Sequence, residues 1–515
     1  MRRYENSEIV DAVIIGTGAG GAPLMTKFAK AGLKVVALEA GDYWNPPTDF
    51  ATDEIEQNKL FWTHERLSAG EDPVAFGKNN SGIGVGGSTL HYTAYTPRPQ
   101  PDDFHIQKDF GVGHNWPIAY EDLEHYYDEL EVNLGISGPT PYPWGPDRKS
   151  GYPLPPLALN AAAQLMQIGS KSLNIKTSPA ANAALSAAYY QEHIGWRQAC
   201  TNRGFCQAGC STGAKASMDV TLIPVAVHFG AEVRPNCFVT ELLKDASGKL
   251  EAVVYQRNGQ LEKQLCKNVF LCAGAIESPR LLLLNNLANS SNQVGKNFMA
   301  HTGLQVWGEF DQKIDPWKGI PGGLISEDMH RPPDADFAGG YIIQSIGVMP
   351  VTYASQLARA TGVFGEELRE RMRHYNNVAG INMHGECLPY EHNFLELSDE
   401  LDEMNLPKPR IHFSNGENEQ KMAAHAKKIM EAIWENAGAK HVWSMNRNAH
   451  TIGTCRMGDD PEQNVVNRDG QSFDIPNLYI ADNSIFPSAL SANPTLTIMA
   501  VSYHIADTFL KNNNC

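Results

Sequence analysis

Three groups of residues in this chain of 515 amino acids have the types and spacing to do chemistry. The first is Gly16-x-Gly18-x-x-Gly21, set between the apolar run 12–15 and a stretch, 23–31, with apolar residues at helical spacing. A second apolar run, 34–38, ends on Glu39. Gly16 suits a tight turn, Gly18 lets backbone approach a pyrophosphate, and Gly21 lets a helix pack closely on a strand. The helix start then offers its N–H groups to the phosphates. Glu39, eighteen residues beyond Gly21, is placed to accept hydrogen bonds from a ribose 2′-OH, and its charge would repel a 2′-phosphate. With strand, triplet, helix, strand and acid in order, dinucleotide binding is expected.

The second group is Cys200, Cys206 and Cys210, spaced C-x5-C-x3-C among glycines and short polar residues. Such thiolates suit one inorganic centre. Zinc normally takes four ligands and iron–sulfur clusters take three or four thiolates, so three is the minimum for a cluster lacking one iron corner. A compact loop with buried thiols, or with one disulfide, is the alternative. The other cysteines read as small buried residues.

The third group lies near the end. His450 opens the compact polar block HTIGTCRMG, and the run 475–510 contains a short apolar strand, 478–481, with Asp482 at its carboxyl end and a helix from 494 to 510. Open α/β sheets bind ligands at the carboxyl ends of their strands, so Asp482 is placed for a cofactor hydroxyl or for the amides around it. A glycine-rich loop, GIGVGGST at 82–89, includes Gly86, Gly87 and Ser88 and is followed by His91. It reads either as a second loop against a cofactor or as a structural turn. The strand 268–272 runs into Ala273-Gly274 and a leucine-rich helix, a second turn that offers backbone N–H groups to a phosphate.

These residues need positioning by elements that the pattern also shows. Residues 120–134 and 161–173 have helical periodicity, and 217–227 looks helical. Residues 232–239 and 250–256 read as strands. From about 304 to 445 the character changes: 303–310, 339–348 and 377–388 read as strands of an antiparallel sheet with one solvated or ligand-facing side. Residues 356–375 read as a charged helix and 418–437 as a long one. The net charge of −16 argues against nucleic acid or another polyanionic partner. There is no apolar run long enough to span a membrane. The start, Met1-Arg2-Arg3-Tyr4 followed by Glu5 and Glu8, carries no apolar targeting segment, so no export signal of its own is expected.

Together the N-terminal dinucleotide motif, GIGVGGST, HTIGTCRMG and NPTLTIMA resemble the glucose–methanol–choline family of FAD oxidoreductases along nearly the whole chain. The resemblance implies an α/β fold: a Rossmann-like FAD-binding domain, discontinuous over 1–100, 200–303 and 446–515, with a second domain at 304–445 built on an antiparallel sheet. Helices and loops fill 101–199, and the cysteine loop follows at 200–215. The active site would lie between the two domains, beside the isoalloxazine. His450 and Asn493 match the family's catalytic pair, and Gly16, Gly18, Gly21, Glu39, Gly86, Gly87, Ser88, His91, Ala273, Gly274, Asp482, Asn493, Pro494 and Thr495 are the expected FAD contacts. His91 resembles a histidine that carries covalent flavin in some pyranose oxidases, and Arg456 is expected to face the cofactor or a local acid.

The cysteine spacing looks like the [3Fe–4S] motif of the large subunits of bacterial sugar dehydrogenases of the glucose, fructose, gluconate and glucoside 3-dehydrogenase type. It implies oxidation of a carbohydrate hydroxyl by hydride transfer to FAD, with electrons leaving through a cluster at Cys200, Cys206 and Cys210. It also implies a small subunit, a cytochrome or other acceptor, and either a periplasmic location by co-export with a signal-bearing partner or a cytoplasmic one. The alternatives are a sugar oxidase that uses O2 and keeps the cysteines structural, and a noncatalytic flavin-binding electron-transfer subunit.

Overall fold

The computed structural model describes residues 3–50, 53–73, 81–333 and 335–513; Met1, Arg2 and Cys515, among the residues read above, lie outside them. β1 (Val10–Ile15) and β2 (Val35–Leu38) are almost wholly apolar and buried, as strands covered on both faces must be. They lie parallel, Ile15 beside Leu38, and are joined through α1 (Gly21–Lys30). A Cβ at Gly21 would stand 2.0 Å from Gly16 O, so only glycine lets the helix start where it does.

The helix α2 (Tyr120–Leu134) spans the stretch read from its periodicity and ends on Gly135 in the left-handed conformation. β3 (Gln260–Leu271) lies parallel to β1 on the side away from β2, with Leu271 beside Ile15, and hands on to α3 (Gly274–Leu284). It is far longer than the expected 268–272, because its first half pairs antiparallel with Leu250–Arg257. The expected helix 217–227 is a 3-10 turn, Met218–Val220, followed by the short helix Leu222–His228.

The second sheet is antiparallel and is built around β4 (Met299–Glu309), β5 (Tyr341–Ile346) and β6 (Val378–Gly385). Side chains alternate along each strand. Leu304, Val306, Tyr341, Ile343, Ile381 and Met383 pack on Met422, Met430 and Trp434 of α4 (Glu417–Asn436). The opposite face carries Gln305, Asn382 and Gln344, which lie in register across three strands. Burying each such large apolar side chain contributes about 1.5–3 kcal/mol, so α4 fixes which face of the sheet is left polar. The expected single helix at 356–375 is two, Pro350–Thr361 and Gly365–Met372, because Gly362 and Gly365 both take positive φ and end the helical path between them.

β7 (Ala449–Ile452) pairs with the start of β4. β8 (Leu478–Ile480) then returns to the first sheet beside β3, and α5 (Thr495–Asn512) follows. Phe28 of α1, Phe270 of β3 and Phe509 of α5 meet with ring centroids 4.7–5.2 Å apart, closing the core of this half. The carboxyl ends of β1, β2, β3 and β8 face the polar side of the second sheet across a cavity of about 380 Å³. No helix among the described residues is long and apolar enough to cross a membrane.

Candidate active site

The end of the cavity at the first sheet is lined by Gly16, Gly18, Glu39, Gly87, Ser88, His91, Ala273, Gly274 and Asp482. A Cβ at Gly20 or Gly21 would strike the chain's own backbone at 2.1 and 2.0 Å, whereas one at Gly18 would meet nothing nearer than 3.5 Å. The missing side chain at Gly18 is therefore not required by the protein's own packing. Backbone N–H groups of Gly18, Ala19 and Gly20 make no hydrogen bond among the described residues. Bare donors at a helix start, beside a glycine with room to spare, fit a pyrophosphate.

Glu39 is buried and first of all braces the chain. One carboxylate oxygen accepts from Thr17 N–H (3.0 Å) and Oγ1 (2.8 Å), the other from Gly41 and Gly84 N–H (3.2 Å each). A carboxylate has about four acceptor positions, so a ribose hydroxyl reaches it by displacing one of the longer backbone bonds. The amides expected to grip a phosphate at the second turn are engaged otherwise. Gly274 N–H donates to Asp482 Oδ2 (2.8 Å) and Ala273 N–H to Ser278 Oγ (3.1 Å). That part of the expectation is corrected: these residues shape the wall, and Asp482 holds the amides around it, including Ser484 N–H at 2.8 Å. His91 lies on the lining with Nε2 buried and unpartnered, and burial, with Lys215 nearby, lowers its pKa to about 3.

At the other end stand His450 and Asn493, on β7 and just before α5. β7 is out of register with β4: Ala300 pairs with Thr451 and His301 with Ala449, so His450 is the extra residue of a bulge, at φ 55°. Bulges re-aim side chains, and this one turns the imidazole toward the cavity. His450 Nδ1 lies 3.0 Å from His301 Nδ1, and His301 Nε2 lies 2.9 Å from Leu490 O. A carbonyl only accepts, so His301 Nε2 carries the proton. Burial lowers the His301 pKa to about 4; the ring is neutral and its Nδ1 is an acceptor. His450 must then donate from Nδ1. Burial, and then His384, His301 and Arg447, hold His450 well below the ordinary 6.5. Its Nε2 is thus a bare lone pair, ready to take a proton.

A similar argument orients Asn493. Gln344 Nε2 donates to Asn493 Oδ1, so the Asn493 amide nitrogen, which makes no hydrogen bond among the described residues, is a donor on the cavity wall. Behind this pair sits Glu386, fully buried, its Oε1 accepting from Ala489 (2.7 Å), Leu490 (3.1 Å) and Cys387 (3.1 Å) N–H. Burial, with Asp103 nearby, raises its pKa to about 8. It fixes the loop whose Leu490 carbonyl sets the His301 tautomer. On the second sheet, Gln305 Oε1, Asn382 Oδ1, Gln344 Oε1 and His384 Nδ1 are all buried without a partner.

His301, His384, Asn382, Gln305, Gln344, Glu386 and Arg447 were not picked out from the sequence. Their signal is polar residues an even number apart, as in His301-x-x-x-Gln305 and Asn382-x-His384, on strands whose other face is apolar. Arg456 is not on the cavity lining. It bonds Asn464 Oδ1 (3.0 Å), Gln463 O (2.6 Å) and His114, and the acid that acts on it is Glu391.

Cys200, Cys206 and Cys210 are all free thiols, so the disulfide alternative is set aside. Among the described residues, the one set of three potential ligands with donor atoms within 4.8 Å of one another is Asp102, Asp103 and His330. The three sulfurs do not close on a single ion, which corrects the zinc option.

Residues 63–303 and 389–502 match the N- and C-terminal models of the GMC oxidoreductases. The chain is 30% identical to a 2-methyl-1,2-propanediol dehydrogenase of Mycolicibacterium austroafricanum over 98% of its length and 95% of that protein. It is 29% identical to a fructose dehydrogenase large subunit of Gluconobacter japonicus, over 98% of both. Its fold is similar to that of a formate oxidase crystal structure, with a TM-score of 0.68 at 14% identity over 99% of this chain and all of that one. The chain belongs to the GMC oxidoreductase family. It is an FAD-dependent oxidoreductase acting on a CH–OH group, with the Rossmann-like and antiparallel halves expected of that fold.

Proposed function

We propose that the chain oxidises a hydroxyl of a sugar or related polyol, with His450 as base and Asn493 as the oxygen's second contact. The observation that carries this is the hydrogen-bond chain Leu490 O–His301–His450, which leaves Nε2 bare beside a cavity. FAD, when bound, supplies the hydride acceptor; the bare amides at Gly18–Gly20 and the room at Gly18 are where its pyrophosphate is held. His450 Nε2 takes the hydroxyl proton as the C–H bond breaks. The Asn493 amide N–H donates to the same oxygen and orients it without adding charge. Gln305 Oε1 and Asn382 Oδ1, buried acceptors with nothing to accept, support a substrate rich in further hydroxyl donors, since an unmet buried acceptor costs about 1–3 kcal/mol. Anaerobic mixing with a panel of sugars and polyols, followed by flavin bleaching, tests this. His450→Ala is expected to slow the bleaching by about 10²–10⁴-fold, the usual worth of a general base; an unchanged rate removes His450 from the role.

For the fate of the electrons, the reading that O2 takes them while the three cysteines are structural is supported by the loop itself. It is held by protein contacts, Arg203 to Ser211 and Arg197 to Gly213 and Ala214. Burial pushes Cys206 up to about 12 and raises Cys200, keeping both as thiols. One observation favours a [3Fe–4S] cluster as a second reading. Cys200 and Cys210 accept N–H from Asn202 and Lys215 at 3.4 Å, and the buried ammonium of Lys215 bonds Cys206 O at 2.6 Å. Donors and a cation of this kind favour thiolate sulfur. Sulfurs too far apart for one ion remain compatible with a cluster, where each binds a different iron. Iron and acid-labile sulfide analysis of purified protein separates the two: near three irons per chain supports the cluster, and none supports the oxidase. A small subunit and a cytochrome acceptor belong only to the cluster reading, and co-purification on expression with neighbouring subunits tests them.

A further inference from the structure

Most charged side chains on the cavity lining are neutralised within the chain. Arg66 and Arg280 pair with Glu277 (2.9 and 3.2 Å), Arg280 also pairs with Asp402 (2.6 Å), and Glu39 and Asp482 accept backbone and hydroxyl donors. Arg447 is different. It lines the same cavity, yet its guanidinium makes no ion pair and no hydrogen bond among the described residues. Its position is fixed: it sits on the link between His441–Asn446 and β7, three residues before His450, and its N–H donates to Gly303 O (2.9 Å). Among the described residues, no carboxylate pairs with it. The charge that acts on it is another cation, Arg359, which with burial lowers its pKa. Arg447 in turn depresses the pKa values of His384 and His450, so it stands on the reacting side of the cavity. Arg447 is half-buried, so its guanidinium, without a counter-charge, stays open to the cavity, and its planar fork matches a carboxylate bidentately.

We propose that Arg447 binds a carboxylate of the substrate, so that the preferred substrate is a polyhydroxy acid of the sugar-acid class. The acid group would meet Arg447 while its hydroxyls meet Gln305, Asn382 and His450. This rests on the hydroxyl-oxidation reading of the same cavity and narrows it. A carboxylate is favoured over a phosphate because its two oxygens match a single guanidinium fork, and the cation nearest in effect, Arg359, is not among the cavity-lining residues.

The test uses the FAD-loaded protein and a panel of matched compounds: aldoses, the corresponding aldonates and the aldose phosphates. Under anaerobic conditions the aldonates are expected to half-saturate flavin reduction at concentrations about a hundredfold below their aldoses. Arg447→Gln is expected to shrink that discrimination about a hundredfold, the loss typical of truncating one partner of a desolvated charge pair. Equal use of aldoses and aldonates, a preference for phosphates, or unchanged discrimination in Arg447→Gln would each overturn the proposal. Binding is read separately by flavin-absorbance titration in His450→Ala, which lacks the base. Aldonate binding there, lost about a hundredfold on adding Arg447→Gln, with no reduction by any compound in the unaltered protein, would fault the oxidation reading and leave the anion site standing. No aldonate binding in that titration would sink the site itself.

Discussion

On the proposed reading, His450 acts through a nitrogen whose availability is set by its hydrogen-bond partner, His301. His301 Nδ1 accepts from His450 only because Leu490 O holds the His301 proton on Nε2. His301 is therefore a positioning residue, and its replacement separates hydrogen bonding from packing. His301→Leu, which offers His450 no acceptor, is expected to slow flavin reduction by about 10²-fold. His301→Gln, whose amide oxygen can accept the same N–H, should recover most of the loss. Equal damage in both variants would reduce His301 to a packing role. The pH profile gives a second reading. Because the His450 pKa is held below 6.5, the neutral, proton-accepting form persists as pH falls through 6.5, and the charged form takes over only further down. The acid limb of kcat/KM is expected well below pH 6.5.

At the scale of elements, the glycine turn makes two predictions that differ in kind. Gly21→Ala drives a Cβ into Gly16 O at 2.0 Å, so α1 must lift off β1; thermal unfolding of the FAD-free protein should show a clear loss of stability. Gly18→Ala meets only a 3.5 Å contact within the chain. Its melting without FAD should stay near that of the unaltered protein while the Kd for FAD rises, as isothermal titration would show. The β1–α1–β2 unit was legible because each part is local: apolar runs, glycines and the acid lie within thirty-one residues. The helix 120–134 was legible for the same reason. The break at Gly362 was not, since the charges around it continue a helical pattern and only the backbone φ values of 74° and 61° reveal the stop. His450 could be picked from its block, and Asn493 from NPTLTIMA. The histidine that sets the tautomer lies 149 residues away on a strand with no motif. The engagement of the second turn at Ala273-Gly274 is not legible, because a free helix start and one already engaged by Asp482 have the same sequence.

The two largest of the molecule's hydrophobic cores lie one under the parallel sheet and one between the antiparallel sheet and α4, with the cavity between the two sheets. A ligand bound there touches elements from both. FAD at a hundredfold excess over its Kd should add about 2.7 kcal/mol to the free energy of unfolding, and denaturant titration with and without FAD checks this. If the two halves unfold separately without FAD and together with it, the cofactor links them; a single transition in both conditions would show that the protein interface already does so.

The offset of β7 against Ala300 and His301 makes the base a matter of counting as well as of chemistry. Removing one residue from Ala449–Ile452 would abolish the offset, and the imidazole would lose the left-handed backbone, φ 55°, that turns it toward the cavity. A relative one residue shorter there, with every named side chain retained, would look competent by its letters and be inert.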